Sequence, residues 1–158
     1  MSPNPDLPPS GRLTWAGVWL GLSLGGFFDG IMLHQVLQWH HMLTSVPDPA
    51  VRDDITLNTF ADGLFHVACW LFLVIGLWVL WRARGEFGAL HWARTFVGGI
   101  LIGAGAFNLI EGLVNHQILG IHHVRTGSPN ELLWDLGFLA SGVVLIGVGW
   151  SVRPRRRL

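Results

Sequence analysis

Four acids, Asp29, Asp62, Glu111 and Asp135, and seven histidines, His34, His40, His41, His66, His116, His122 and His123, fall within or beside long apolar runs of this chain. Ionisable groups in such places are costly and mark function. Imidazole nitrogens and carboxylate oxygens are the ligand atoms of zinc, iron, manganese and copper(II) sites. Carboxylates and histidines projecting from facing helices are the recipe of two-metal carboxylate bundles. The count exceeds one mononuclear shell, so two or three ions, or one cluster with supporting partners, are expected. A bound cation would also keep the acids ionised, whereas without one they should take up protons.

The spacing of these residues repeats. Asp29-Gly30-x-x-x-His34-Gln35-x-Leu37-x-x-His40-His41 matches Glu111-Gly112-x-x-x-His116-Gln117-x-Leu119-x-x-His122-His123 without a gap. The match extends back through Gly21/Gly103 and Gly17/Gly99 to Arg12/Arg94. A second, weaker correspondence pairs Asp62 with Asp135, Phe65 with Phe138, Gly76 with Gly149 and Arg82 with Arg155. Leu139 stands where that correspondence would place a second His66, so the expected site is asymmetric. A single membrane histidine is often only a hydrogen-bond partner between helices. A duplicated motif with a matching stripe weighs against that reading.

At 100° per residue, Asp29 superimposes on His40 and His34 on His41, giving a broad polar wedge with Gln38 nearby. The second copy repeats the wedge with Glu111/His122 and His116/His123, and adds Asn108 and Asn115. Asn58, Asp62 and His66 form an i, i+4, i+8 stripe. Helical rise places Asp29 about 16 Å deeper than His40. The favoured ligands are His34, His66 and His116, with Asp29, Asp62 and Glu111 as ligands or supports. His41 and His123 follow, then His40, His122 and Asp135. Within each adjacent pair, 40–41 and 122–123, one histidine is expected to bind and one to face water. Asn58, Asn108, Asn115 and Gln38 are candidate supporting groups. Cys69 alone makes no disulfide or iron–sulfur site, and Met32 and Met42 are too few for a copper(I) relay.

The elements that must position these groups are membrane spans. Half of the chain (51%) is hydrophobic and only 13% charged, against about 25% for a soluble domain. Ten Lys/Arg balance ten Asp/Glu, so nothing steers the chain toward nucleic acid. Four segments, 13–41, 56–81, 94–119 and 132–152, are long enough to cross a bilayer. Residues 1–11 lack a basic stretch and read as a Pro-rich flexible tail rather than a signal peptide. Residues 12–152 then form the four-helix domain, with repeat one at 12–84 and repeat two at 94–157, and 153–158 are a basic tail. Ser128-Pro129-Asn130-Glu131 reads as a capping box with Pro at the first helical position. Gly17, Gly21 and Gly25, and Gly99 and Gly103, are spaced for close helix packing.

The expected fold is an all-α integral membrane four-helix bundle, two tandem hairpins about a pseudo-two-fold axis along the membrane normal. Arg12, Arg82, Arg84, Arg94 and Arg153 to Arg157 place both termini in the cytoplasm. The His/carboxylate cluster then lies in the outer half of a bacterial inner membrane, toward the periplasm or cell exterior. Trp39 and Trp134 fit an outer aromatic belt, and Trp15, Trp78, Trp81, Trp92 and Trp150 an inner one.

The stretches FFDGIMLHQVLQWHHM and NLIEGLVNHQILGIHHV, with ADGLFHV between them, resemble a bacterial family of small four-helix, histidine-rich integral membrane proteins known as a domain of unknown function. The resemblance covers roughly residues 12–152. It implies the fold and a membrane location, and a link to respiratory oxidase assembly that favours copper.

Four functions compete. The first is a membrane metal-dependent oxidoreductase using oxygen or a lipid-soluble redox partner, its two or three ions copper, slightly ahead of iron and zinc. Asp135 opposite Leu139 would leave an open coordination position. The second is a periplasm-facing copper or zinc carrier. The third is a b-type haem protein with His34 facing His116, disfavoured because axial ligation needs no acids. The fourth is a metal-free proton relay, disfavoured because the polar groups do not reach the inner half. The wide polar wedge also suits a homodimer interface.

Overall fold

The computed structural model describes residues 11–154, and among these the secondary structure is entirely helical. Residues 1–10 of the expected Pro-rich tail and 155–158 of the basic C-terminal tail lie outside the described residues, while Gly11, expected in the tail, already belongs to the first helix. The first span is α1, Gly11–Phe28, which runs on without a break as a π-helical segment, Asp29–Val36. After a loop and the short α2, Pro49–Arg52, the second span is α3, Ile55–Arg82. The third is α4, Trp92–Glu111, likewise continued by a π-helical segment, Gly112–Ile118. The fourth is α5, Glu131–Val152. The four apolar helices span 26, 28, 27 and 22 residues, each enough for a hydrocarbon core of about 30 Å. The chain is a four-helix membrane bundle.

Local chemistry sets the ends. Asp54 caps α3 by accepting from the amides of Thr56 and Leu57 at 2.9 and 3.0 Å. Asp48 caps α2 ahead of Pro49. The expected capping box before α5 forms differently. Glu131, not Pro129, is the first helical residue, and its carboxylate accepts from the Gly127 amide at 2.6 Å, while Ser128 Oγ accepts from the Asn130 amide. Pro129 therefore precedes the helix, and Gly127 at φ +78° turns the chain into it.

The first span is shorter than the periodicity predicts, because the chain leaves it at Val36 rather than 41. Gln38 at φ +49° and its repeat partner Gly120 at φ +58° reverse the backbone there. The last π-type bonds, Leu37 N–H to Met32 O and Leu119 N–H to Val114 O, are both 2.8 Å. His40, His41, His122 and His123 consequently sit on loops, not on helix ends.

α1 and α4 form the central pair; α3 packs on α1 and α5 on α4. The centre needs bare backbone. A Cβ on Gly21 would run into the Ile100 carbonyl and stand 2.9 Å from the Gly103 Cα, and one on Gly103 would run into the Val18 carbonyl. The two helix-to-helix loops clasp each other over one end of this pair. Ser45 N–H donates to Ile121 O at 2.8 Å, and the Thr44 and Thr126 hydroxyls meet at 3.3 Å.

Candidate metal centre

The site is built twice, once by each repeat. The π-helical turn is what assembles it. Residues five apart diverge by about 140° on an α-helix, but i→i+5 bonding stacks them. His34 Nε2 therefore stands 3.2 Å from Asp29 Oδ2, and His116 Nε2 stands 3.1 Å from Glu111 Oε1. Glycine follows each acid, and it must: a Cβ on Gly30 would lie 2.6 Å from His66 Nε2, and one on Gly112 3.0 Å from Leu139.

Each histidine is aimed from behind. With Nδ1 protonated, His34 donates to Asp62 Oδ1 at 2.8 Å and His41 donates to Asp62 Oδ2 at 2.7 Å. The Met42 amide donates to the same carboxylate at 2.9 Å. In the second repeat His123 donates to Asp135 Oδ2 at 2.7 Å and the Val124 amide to Asp135 Oδ1 at 3.0 Å. His116 Nδ1 lies 3.4 Å from Asp135 Oδ1, a looser approach. Gln35 and Gln117 donate to Asp62 and Asp135 at 3.4 and 3.2 Å.

The loops cross to complete the pattern. His40 Nδ1–H donates to Val124 O at 2.9 Å, and His122 Nδ1–H to Met42 O at 3.1 Å, so each repeat's histidine is held by the other repeat's backbone. Both Nε2 atoms are thereby directed inward. His122 Nε2 lies 2.8 Å from Glu111 Oε1. The His40 and His122 rings stack at 4.6 Å, and those of His34 and His116 stand against them at 4.3 and 4.9 Å. Burial, with His122 and His34 alongside, pushes the His40 imidazole down to about 2, so it presents a neutral lone pair.

Asp29, His34, His40, Glu111, His116 and His122 are all buried. Asp29 Oδ1 and Oδ2, His34 Nε2, His40 Nε2, Glu111 Oε2 and both nitrogens of His116 make no hydrogen bond. Buried polar atoms are nearly always hydrogen-bonded; here several meet only in close His–carboxylate contacts, a set of ligand-type atoms that could hold an ion. Two donor sets, His34/His40/His122 and Glu111/His116/His122, each bring their ligand atoms within 4.8 Å of one another. Atoms bound at about 2.0–2.1 Å around one ion lie roughly 2.9–3.4 Å apart, a range that includes the His34–Asp29 and His116–Glu111 separations.

A family model described as a predicted membrane protein, DUF2243, matches residues 16–156. The chain belongs to this family. No curated protein and no solved structure matches it. The chemistry of this DUF2243 member must therefore be argued from its own residues.

Several sequence-based candidates fall outside the inner cluster. His66 Nδ1–H donates to the Asp62 carbonyl at 2.8 Å, and its ring stacks on Phe27. His41 and His123 are part-exposed and serve Asp62 and Asp135, which themselves act as supports. Asn58 ties down the outer loop, accepting from the Leu43 amide at 3.0 Å and donating to the Arg52 and Asp54 carbonyls. Asn115 Nδ2 reaches Glu111 Oε1 at 3.4 Å, whereas Asn108 bonds Ser141 and Gln38 is exposed at the backbone reversal. His40 is not about 16 Å from the Asp29 level, as a continuous helix would require, because the chain folds back: Asp29 and His40 both flank His34. Sequence reasoning missed the glutamines and the two loop carbonyls. Gln35 and Gln117 were visible in the repeated motif; the carbonyls carry no sequence signal. Phe65 and Phe138, also repeated, lie against His34 and His116, each pair with centroids 5.6 Å apart.

Proposed function

We propose that this protein is a membrane metalloprotein with a two-ion transition-metal site, acting as an oxidoreductase. The observation that carries this reading is the buried set of ligand-type atoms without hydrogen bonds, contributed by both repeats. His34, His40 and His122 would form one donor set, with Asp29 beside His34, and Glu111, His116 and His122 the other, His122 being common to both. Asp62 fixes the tautomer of His34, and the carbonyls of Val124 and Met42 fix those of His40 and His122, so that Nε2 faces inward. Three donors in each set leave coordination positions open, and histidine with carboxylate suits iron and oxygen chemistry as well as copper. When bound, such ions supply one-electron chemistry that no side chain here provides.

The arrangement does not favour haem. Rings of His40 and His122 occupy the space that a porphyrin between His34 and His116 would need. A carrier of copper or zinc is the second reading, and the part-exposed His41 and His123 at the rim favour it. The Arg-bearing end supports a cytoplasmic placement of α1's start and α5's end in a bacterial inner membrane, with the site opposite. Arg94 Nε donates to Val152 O at 3.1 Å, uniting two of those ends.

Elemental mass spectrometry on detergent-purified protein, with a visible spectrum on the same sample, tests the proposal. Two equivalents of iron or copper are expected, falling in His34→Ala and His116→Ala. A carrier would instead lose its metal to a competing chelator within minutes. Protein that binds no metal after loading would overturn the proposal.

A further inference from the structure

The repeat is symmetric at the cluster and broken beside it. A lateral groove of about 680 Å³ opens between the end of α1 and the outer half of α5, within the size range of small-molecule sites. Its walls include Trp39, Trp134, Asn108, Ser141 and Phe138. The corresponding positions on the other side of the pseudo-two-fold hold Ile121, Ala61, Gly26 and Ala68, and only the phenylalanine is kept, as Phe65. Two indoles and an amide–hydroxyl pair therefore stand on one face where the other has an isoleucine, a glycine and two alanines.

These replacements are poorly suited to plain lipid. Asn108 is half-buried and Ser141 exposed, yet both belong to membrane-spanning helices. Asn108 Nδ2 donates to Ser141 Oγ at 2.8 Å, and Ser141 Oγ donates to the Phe138 carbonyl at 2.6 Å. The Asn108 carbonyl oxygen accepts nothing among the described residues. An unsatisfied carbonyl facing hydrocarbon costs several kcal/mol, so a ligand that donates a hydroxyl is favoured there. At the mouth the Trp39 and Trp134 rings lie 5.1 Å apart, with the Arg125 guanidinium over both at 5.3 and 5.5 Å. Aromatic walls suit a flat ring. The groove is also adjacent to the cluster. Phe138 lines it and touches His116, and Val124 lines it and holds His40.

We propose that this groove binds a lipid-soluble hydroquinone: its ring against the paired indoles and Phe138, one hydroxyl donating to Asn108 Oδ1, and its tail along Phe28 and Leu133. This rests on the oxidoreductase reading only for its purpose, since the binding itself requires no metal.

The test uses the full-length chain in phosphatidylcholine nanodiscs after metal has been removed with a chelator. An azido-substituted decylubiquinone is photolysed with and without excess decylubiquinol, and adducts are mapped by mass spectrometry. Adducts should concentrate near Trp39, Leu133 and Trp134 and fall at least tenfold with the competitor. Gly137→Leu should abolish them without lowering the thermal midpoint, because a Cβ there meets nothing within 4 Å and points into the groove's free space. Asn108→Leu should reduce the preference for decylubiquinol over decylubiquinone about tenfold, the worth of one hydrogen bond. Adducts spread evenly over the lipid faces of α3 and α5, or unchanged by Gly137→Leu, would overturn the proposal and mark the groove as lipid-filled. Metal content of the same variants reads the oxidoreductase proposal separately.

Discussion

Asp62 is the most informative residue to change, because it holds both fold and site. Its carboxylate accepts from His34 Nδ1, His41 Nδ1 and the Met42 amide at 2.7–2.9 Å. Asp62→Ala leaves the His34 and Met42 donors buried without partners, at about 1–3 kcal/mol each, or roughly 2–6 kcal/mol together. His41 is 20% exposed and can turn to water, so it adds little. The same change frees the His34 ring to rotate or switch tautomer, which weakens metal binding by about 10–100-fold. Asp62→Asn separates the two effects. Its amide oxygen can still accept from His34 and Met42, so most stability returns. Its amide nitrogen faces His41, which must switch tautomer, and the negative charge that favours a basic Nε2 on His34 is gone. The assays are thermal unfolding in detergent and competition with a metal-sensitive chelating dye. Asp62→Ala that folds and binds metal within twofold of the native protein would refute the argument that this carboxylate aims His34.

Asp135→Ala should match Asp62→Ala in metal affinity but cost less stability through His116, whose Nδ1 is 3.4 Å away rather than 2.8 Å, as paired melting curves would show. His40→Ala should remove one ion of two and leave the other, read as metal per protein; a loss of both would indicate a single shared centre. Gly21→Ala should destabilise by about 1–3 kcal/mol because it drives a methyl into the α4 backbone, while Gly147→Ala, with open space around its Cβ, should be neutral or slightly stabilising in the same melts. Asp54→Ala should cost about 1 kcal/mol through the lost α3 cap, without changing metal content.

The fold was legible because lipid imposes long apolar runs, and the repeat was legible because its ligand-type residues recur without a gap. The choice of histidine within each pair was not. Periodicity at 100° per residue aligned Asp29 with His40 and set His34 apart from Asp29. The π-helical turn reverses this, bringing residues five apart together, and no periodicity count that assumes an α-helix can anticipate it. His66 shows the complementary limit. It lies on the predicted stripe with Asn58 and Asp62, but Phe27 and Gly30 receive its ring before it can reach the cluster. The closing role of the loops rests on backbone carbonyls, which any residue supplies.

The contact between Gly17, Gly21, Gly99 and Gly103 has a mechanical consequence. Helices that meet backbone to backbone can neither breathe apart nor roll without breaking that contact. The distance between the two ligand sets is thus held by a stiff strut, and the freedom left for opening lies in the clasped loops above it. Ser45 with Ile121 and Thr44 with Thr126 form the latch. On the metalloprotein reading, an ion's entry and escape would be timed by that latch rather than by helix motion, and a crosslink between the loops would slow both.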